Sequence, residues 1–317
     1  MKTFKEICMM TQKEVKEYMH GYLKDNGYEP ISEDGFVYAK GDVPVLLTAH
    51  MDTVHKETCR DIINENGKIY SPQGIGGDDR CGIFMIMNIV KELHCSVLLC
   101  EDEEMGMIGA RKFTKSDYVN DIDVNYIIEF DRKGVNDAVF YSCDNKEFTD
   151  FVCDNTGFKE SYGSFSDIST VAPALKTAAV NLSCGYYNAH TTQEYVMYDE
   201  MMDIIEAAKA LIKTESEHFE YIARKSHFGN YSYGNSNYAY GNSNYACGHQ
   251  YDLFEDSEFD KRVKKDLKTE VEVVWYDVDG EEQVGYGEGN TKAEAWLDFF
   301  MTNKEVSFGM VVDYSFC

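Results

Sequence analysis

The chain has 317 residues, 44% of them hydrophobic, which is enough for one sizeable core and a small second unit. No apolar run approaches the roughly 20 residues that a membrane span needs. A formal charge of −26 speaks against nucleic acid or an anionic membrane as a direct partner, since both need clustered Lys and Arg.

The first residues, MKTFKEICMM, are charged from the outset and contain no small-residue cleavage site, so no signal peptide is expected. Ten cysteines without CxxC spacing are expected to be free thiols of a reducing compartment, which makes the expected location cytoplasmic.

In chain order, Thr11 with Glu14 predicts a capping box. Val15, Tyr18, Met19, Tyr22 and Leu23 follow at helical spacing until Gly27 ends the helix. PVLLTA (44–49) has the length and apolarity of a buried strand and runs into His50-Met51-Asp52. GIGGDDRCG (74–82) opens a mostly buried helix over 81–93; its glycines allow close approach, and its paired aspartates suit a helix start. SVLLC (96–100) runs into Glu101, Asp102, Glu103 and Glu104. NYIIEF (125–130) ends at Asp131, DAVFYS (137–142) reads as a strand, and AAVNLS (178–183) leads to CGYYNAHTTQE with His190 and Glu194. Met201, Ile204, Ile205, Ala208, Leu211 and Ile212 line one face of a closing helix over 199–213. Helices alternating with continuous apolar strands predict an α/β sheet covered on both faces.

Residues 225–250 differ in kind. They hold two copies of YGNSNYA (233–239 and 240–246), contain no acidic residue and are expected to be a low-complexity linker. Residues 251–317 read as a small α+β unit of β-β-α-β pattern: VEVVWYDVDG and EQVGYGEG as a hairpin, a helix capped by Thr291 and Glu294, and SFGMVVDYSF as the last strand. The expected organisation is a main domain over 1–224, the linker, and this unit.

Four strands thus end in histidine or carboxylate residues, and a glycine-rich helix start supplies two more acids. In open α/β sheets the site lies beyond the carboxyl ends of the strands. Taken singly, His50 is a polar residue leaving a core, Asp131 a turn residue, His190 a loop histidine and the acidic run a solvated face. Jointly they suggest one rim where distant segments gather two His and several carboxylates.

HMDTV (50–54), GGDDRCG (76–82), EEMGMIGA (103–110), Asp131 and AHTTQE (189–194) together resemble the di-zinc exopeptidases, the clan of peptidase T, glutamate carboxypeptidase and the co-catalytic zinc aminopeptidases. The resemblance covers about 1–215 and implies a three-layer α/β/α sandwich around a mixed sheet. It also implies two zinc ions (manganese or cobalt being the alternatives), one held by His50, Asp78 and Asp131 and the other by Asp78, Glu104 and His190. In the same way it implies Asp52 as the carboxylate orienting His50, Glu103 as general base, and a cis peptide between Asp78 and Asp79. The donors suit zinc and need no thiolate. A water between two such ions loses a proton near neutral pH, Glu103 would take it, and hydroxide would attack a peptide carbonyl.

The stretches 51–77 and 132–189 are too short for the extra domains such enzymes carry there, so a bare catalytic domain is expected. The expected substrate is a short peptide, with Arg80, Arg132, Ser166 and Asp167 as candidate contacts. The alternatives are an N-acyl-amino-acid deacylase or carboxypeptidase-like amidohydrolase on the same site, or a non-catalytic acidic interaction protein. Oligomeric state is left open.

Overall fold

The computed structural model describes residues 1–163, 165–224, 269–276, 282–289 and 311–316. The chain forms two compact units, Met1–Lys225 and Ser226–Cys317.

Two short helices open the first unit, α1 (Phe4–Cys8) and α2 (Gln12–Asp25). Thr11 and Glu14 make the expected capping box; a second one, Thr3 with Glu6, starts α1, which the periodicity did not announce. Strands β1 (Ile31–Glu33), β2 (Phe36–Ala39) and β3 (Val43–His50) follow. Next comes a hairpin, β4 (Ile63–Glu65) and β5 (Lys68–Tyr70), then α3 (Gly77–Ile89), β6 (Cys95–Cys100) and α4 (Ile108–Phe113). The remaining elements are β7 (Tyr126–Arg132), β8 (Asp137–Val139), α5 (Lys146–Thr156), β9 (Lys159–Ser161), α6 (Asp167–Leu175), β10 (Ala179–Ser183), β11 (Tyr186–Tyr187), β12 (Tyr195–Met197) and α7 (Tyr198–Lys213).

Eight strands make one mixed sheet in the order β1-β2-β6-β3-β7-β10-β8-β9. The four central strands β6, β3, β7 and β10 run parallel, so their carboxyl ends lie along one edge. Both faces are covered, because successive residues of each central strand enter different cores. Leu47, Val97, Leu99, Ile128 and Val180 pack on the side of α2, α3, α5 and α7. Leu46, Leu98, Ile127 and Ala179 pack on the side of α4 and α6. This is the expected three-layer α/β/α sandwich. Continuous apolar runs are what a sheet buried on both faces requires.

A second antiparallel sheet, β11-β12-β5-β4, stands beside the first. Its β4–β5 hairpin turns on Asn66 (φ 53°) and Gly67 (φ 89°), the left-handed pair that an Asn-Gly turn supplies. The strand expected over 137–142 stops at Val139, and the helix expected over 81–93 ends at Ile89.

In the second unit, β13 (Thr269–Tyr276), β14 (Glu282–Gly289) and β15 (Val311–Phe316) form an antiparallel sheet in the order β14-β13-β15. The helix expected from Thr291 and the linker over 225–250 lie outside the described residues. No helix among the described residues is long and apolar enough to cross a membrane. The eight described cysteines are free.

Helix α3 lies against β3 and β7 at the centre of the sheet. Gly82 makes this approach workable, since a Cβ there would sit 2.2 Å from the Phe130 carbonyl oxygen and 2.4 Å from Asp79 Oδ2. Gly82→Ala would gain about 1 kcal/mol of helix propensity, but overpacking against rigid backbone costs about 1–3 kcal/mol. The variant is therefore expected to be net destabilised, read as a lower urea midpoint at unchanged m-value.

Candidate metal centre

The parallel strands deliver their polar ends to one place. His50 is the last residue of β3, Glu103 and Glu104 follow β6, Asp131 lies near the end of β7, and His190 sits in the loop between β11 and β12. Asp78 comes from the glycine-rich entry to α3, where it and Asp79 depart from helical geometry. The peptide between them is cis, as the resemblance implied.

Asp78 lies at the middle of the cluster. Its Oδ1 is 2.9 Å from His50 Nε2, and its Oδ2 is 3.2 Å from His190 Nε2. His50 Nε2 is also 3.5 Å from Asp131 Oδ1, and His190 Nε2 is 2.9 Å from Glu104 Oε1. That Glu104 oxygen is buried without an aligned hydrogen bond, so it faces the imidazole as one ligand atom faces another around a shared centre.

Among the described residues, three donor groups have their atoms within 4.8 Å of one another: His50, Asp79 and Asp131; His50, Glu103 and Glu104; and Asp78, Glu104 and His190. In the first of these, Asp79 is already satisfied. Its Oδ2 accepts from the His50 amide (3.2 Å) and its Oδ1 from the Gly82 amide (2.7 Å), within a fully buried side chain. Asp78 therefore suits a cation beside His50 better than Asp79 does.

The acidic row over 101–104 fans out rather than stacking. Asp102 takes a left-handed φ of 55° and turns the chain. Glu101 pairs with Lys16 at 2.5 Å and accepts the Gly35 amide at 2.9 Å, while Asp102 accepts the Gln12 side-chain amide at 2.9 Å. Only Glu103 and Glu104 turn toward the histidines. Asp52 holds that corner: its Oδ1 meets His50 Nδ1 at 3.1 Å and the Glu103 amide at 3.0 Å, and its Oδ2 accepts the Glu104 amide at 3.1 Å.

Electrostatics follow from this crowding. Burial opposes charge on His190, but the Asp78 and Glu104 carboxylates beside its Nε2 outweigh burial and push the ring up to about 11. Burial likewise opposes charge on His50, and Asp131, Asp52 and Asp78 raise it well above the ordinary imidazole value. Burial pushes Asp131 up to about 7, with Asp78 adding to the rise. Glu103 rises well above the carboxylate range through burial, with Asp131 and Asp167 adding to it.

The four candidate substrate contacts are placed differently from expectation. Arg80 is buried, and its guanidinium donates to the carbonyls of Met51 (2.6 Å), Asp52 (3.2 Å) and Met10 (3.0 Å). It clamps the turn after β3 to the chain after α1 instead of reaching toward a ligand. Arg132 is committed to Asp137 through Nε and Nη2 at 3.3 and 3.2 Å. Ser166 is buried and donates to Glu129, with Asp131 Oδ2 3.3 Å away. Asp167 is wholly buried, and burial raises it to about 7.

Three residues that complete the site were not anticipated. Glu129 receives Ser166, and Asn181 brackets Asp131 by accepting its amide (2.9 Å) and donating to its carbonyl (3.2 Å). Tyr186 Oη donates to Asp78 Oδ2 at 3.2 Å. A signal existed for two of them: Glu129 and Asn181 are polar residues at the heart of apolar runs, and a buried polar group calls for a partner.

No protein-family model and no curated protein matches the sequence. Among solved structures, the chain is similar to aminopeptidase PepT from Bacillus cereus, with 16% identity and a TM-score of 0.55 over 66% of this chain and 96% of that one. It is similar to a tripeptidase from Staphylococcus aureus, with 13% identity and a TM-score of 0.55 over 67% and 96%. An aminopeptidase from the archaeon Desulfurococcus kamchatkensis matches with 15% identity and a TM-score of 0.51 over 66% and 93%. The chain therefore has an exopeptidase-type α/β fold. More particularly, it is the fold of these aminopeptidases and this tripeptidase, spanning nearly the whole of each.

Arg80 offers a direct check on its structural role. Arg80→Met keeps the bulk but leaves three carbonyls without their donor, at an expected cost of roughly 1.5–3 kcal/mol for bonds to a charged group. Urea denaturation should register this loss; unchanged stability would contradict the clamp.

Proposed function

We propose that the chain is a metal-dependent aminopeptidase acting on short peptides, with two zinc ions, or manganese or cobalt in their place, as its cations. One observation carries this reading: the two oxygens of Asp78 each face a different imidazole Nε2. A single carboxylate between two histidines is the arrangement a pair of bridged cations needs. His50, Asp78 and Asp131 would hold one ion, and Asp78, Glu104 and His190 the other. All donors are imidazole nitrogen or carboxylate oxygen, which zinc accepts.

Two such ions supply Lewis acidity and a water of lowered pKa. The chain's own residues do the rest. Asp52 fixes the His50 ring through Nδ1, so that Nε2 points inward. It also holds the amides of Glu103 and Glu104, which sets both carboxylates from one anchor. Glu103, buried and with its affinity for protons raised, takes the proton of the attacking water and passes it to the leaving amine.

The choice of substrate end rests on charge. A carboxypeptidase needs a cation to receive a carboxylate. Arg80 is committed to main-chain carbonyls and Arg132 to Asp137, whereas a peptide ammonium suits an acidic surrounding. The free thiols accord with a reducing, cytoplasmic setting.

With zinc present, the protein should cleave di- and tripeptides bearing a free amine and leave N-blocked ones intact. Glu103→Ala should lose about 10²–10⁴-fold in kcat. Preferential turnover of N-blocked substrates would move the reading to a deacylase, and equal activity in Glu103→Ala would remove the mechanism.

Metal uptake should also release protons. In the cation-free protein the His190 ring is raised to about 11 and the His50 ring is shifted in the same direction by its carboxylate neighbours, whereas a ligating imidazole must be neutral. Adding zinc to the metal-free chain in weak buffer should therefore acidify it, as read by an indicator dye. Binding without proton release would contradict ligation by these rings.

A further inference from the structure

Glu194 belongs to no ligand set above, yet it is fully buried beside the centre. Its two oxygens are taken by the loop that carries Asp78. Oε2 accepts the Gly76 amide at 2.8 Å, and Oε1 accepts the Asp78 amide at 3.0 Å. From the other side, His55 Nε2 lies 3.0 Å from Oε2, with only 12% of its side chain exposed.

The bond to the Asp78 amide acts on the very residue whose carboxylate spans both imidazoles. Glu194 also stands four residues after His190, in a turn closed by its own amide donating to the Thr191 carbonyl at 3.2 Å. The neighbouring Val196 is then held in the sheet opposite Ile69. One carboxylate therefore ties the segment bearing His190 to the loop bearing Asp78.

The loop is shaped to accept it. A Cβ on Gly77 would lie 3.4 Å from Glu194 Oε1 and only 2.8 Å from Tyr186 Cβ. A Cβ on Gly74 would collide with the His55 ring at 2.2 Å. Glycine at these places lets the loop press onto Glu194 and its imidazole partner.

We propose that Glu194 is a positioning residue that sets the cation affinity of the centre by fixing Asp78 relative to His190, with His55 steadying it from outside. This rests on the metal-binding reading given above. Glu194→Gln keeps one acceptor oxygen but turns an amide group toward a main-chain N–H, so one of the two loop bonds is lost. Loss of such an outer partner typically lowers metal affinity about 10–100-fold.

The test uses the full-length chain, stripped of metal and titrated with zinc against a competing chelator. Glu194→Gln is expected to fold, by circular dichroism and thermal melt, to bind zinc about 10–100-fold more weakly, and to recover its peptidase activity at saturating zinc. Because the melt is taken without metal, a folded variant with weaker zinc binding reports on the site and not on a loss of fold. His55→Ala, which spares both loop bonds, is expected to show a smaller loss. Glu200→Gln, whose carboxylate accepts the Tyr187 hydroxyl at 2.6 Å, is expected to bind as wild type does.

A wild type that binds zinc beside a Glu194→Gln variant that binds it equally well overturns the proposal alone. If Glu194→Gln does not fold, an unchanged zinc affinity in His55→Ala overturns it instead. A wild-type chain that takes up no zinc removes the metal-binding reading, and this proposal falls with it.

Discussion

The centre is governed by the cost of burying several carboxylates together. Asp52, Asp78, Asp79, Glu103, Glu129, Asp167 and Glu194 are all buried in one region, and like charges in a low-dielectric interior raise one another's pKa or demand donors. Among the carboxylates of the centre, two groups stand out. Asp79 and Glu194 spend both oxygens on main-chain amides, and Asp52 spends its own on two amides and an imidazole. Asp78, Asp131 and Glu104 instead turn oxygens toward the Nε2 atoms of two histidines. The first group builds the backbone frame; the second is what the frame presents.

The sheet makes this sorting workable. Parallel neighbours β6, β3, β7 and β10 bring their carboxyl ends to one edge. Each central strand is anchored through both faces by separate cores, so the residues just past its end inherit that rigidity. Catalytic geometry benefits when side chains are carried by the ends of packed strands and not by long free loops. Asp78 and His190 are the exceptions, since both come from loops, and that is why those loops need anchors of their own.

Much of this was legible in the sequence. Continuous apolar runs identified the central strands because a sheet covered on both faces leaves no alternation to see. The polar residue closing each run identified the rim. What failed were inferences about where single side chains point. Arg80 follows two aspartates in a glycine-rich stretch, a context that suggests a ligand-facing cation, yet three carbonyls left open by the turn after β3 claim it. Ser166 and Asp167 were candidate substrate contacts, but both are buried at the start of α6, with Ser166 3.3 Å from Asp131 Oδ2. Such choices depend on which distant backbone atoms lack partners, and no local pattern carries that information. The β4–β5 hairpin went unanticipated, although its Asn66-Gly67 turn has the residues that such a hairpin uses.

The composition of GIGGDDRCG takes on meaning from the same constraint. Each glycine answers to a particular neighbour: Gly74 to the His55 ring, Gly76 to Thr53, Gly77 to Tyr186 and Val196, Gly82 to the Phe130 carbonyl and the Asp79 carboxylate. Conformational freedom explains only part of this, since Gly74 and Gly76 have positive φ (88° and 65°) while Gly77 and Gly82 do not. For the latter two, the absent Cβ is a matter of space. Bringing a loop aspartate between two strand-borne and loop-borne histidines forces the backbone around it into contact with every adjoining element. A glycine-rich run at this point is therefore a record of crowding, and flexibility would defeat its purpose.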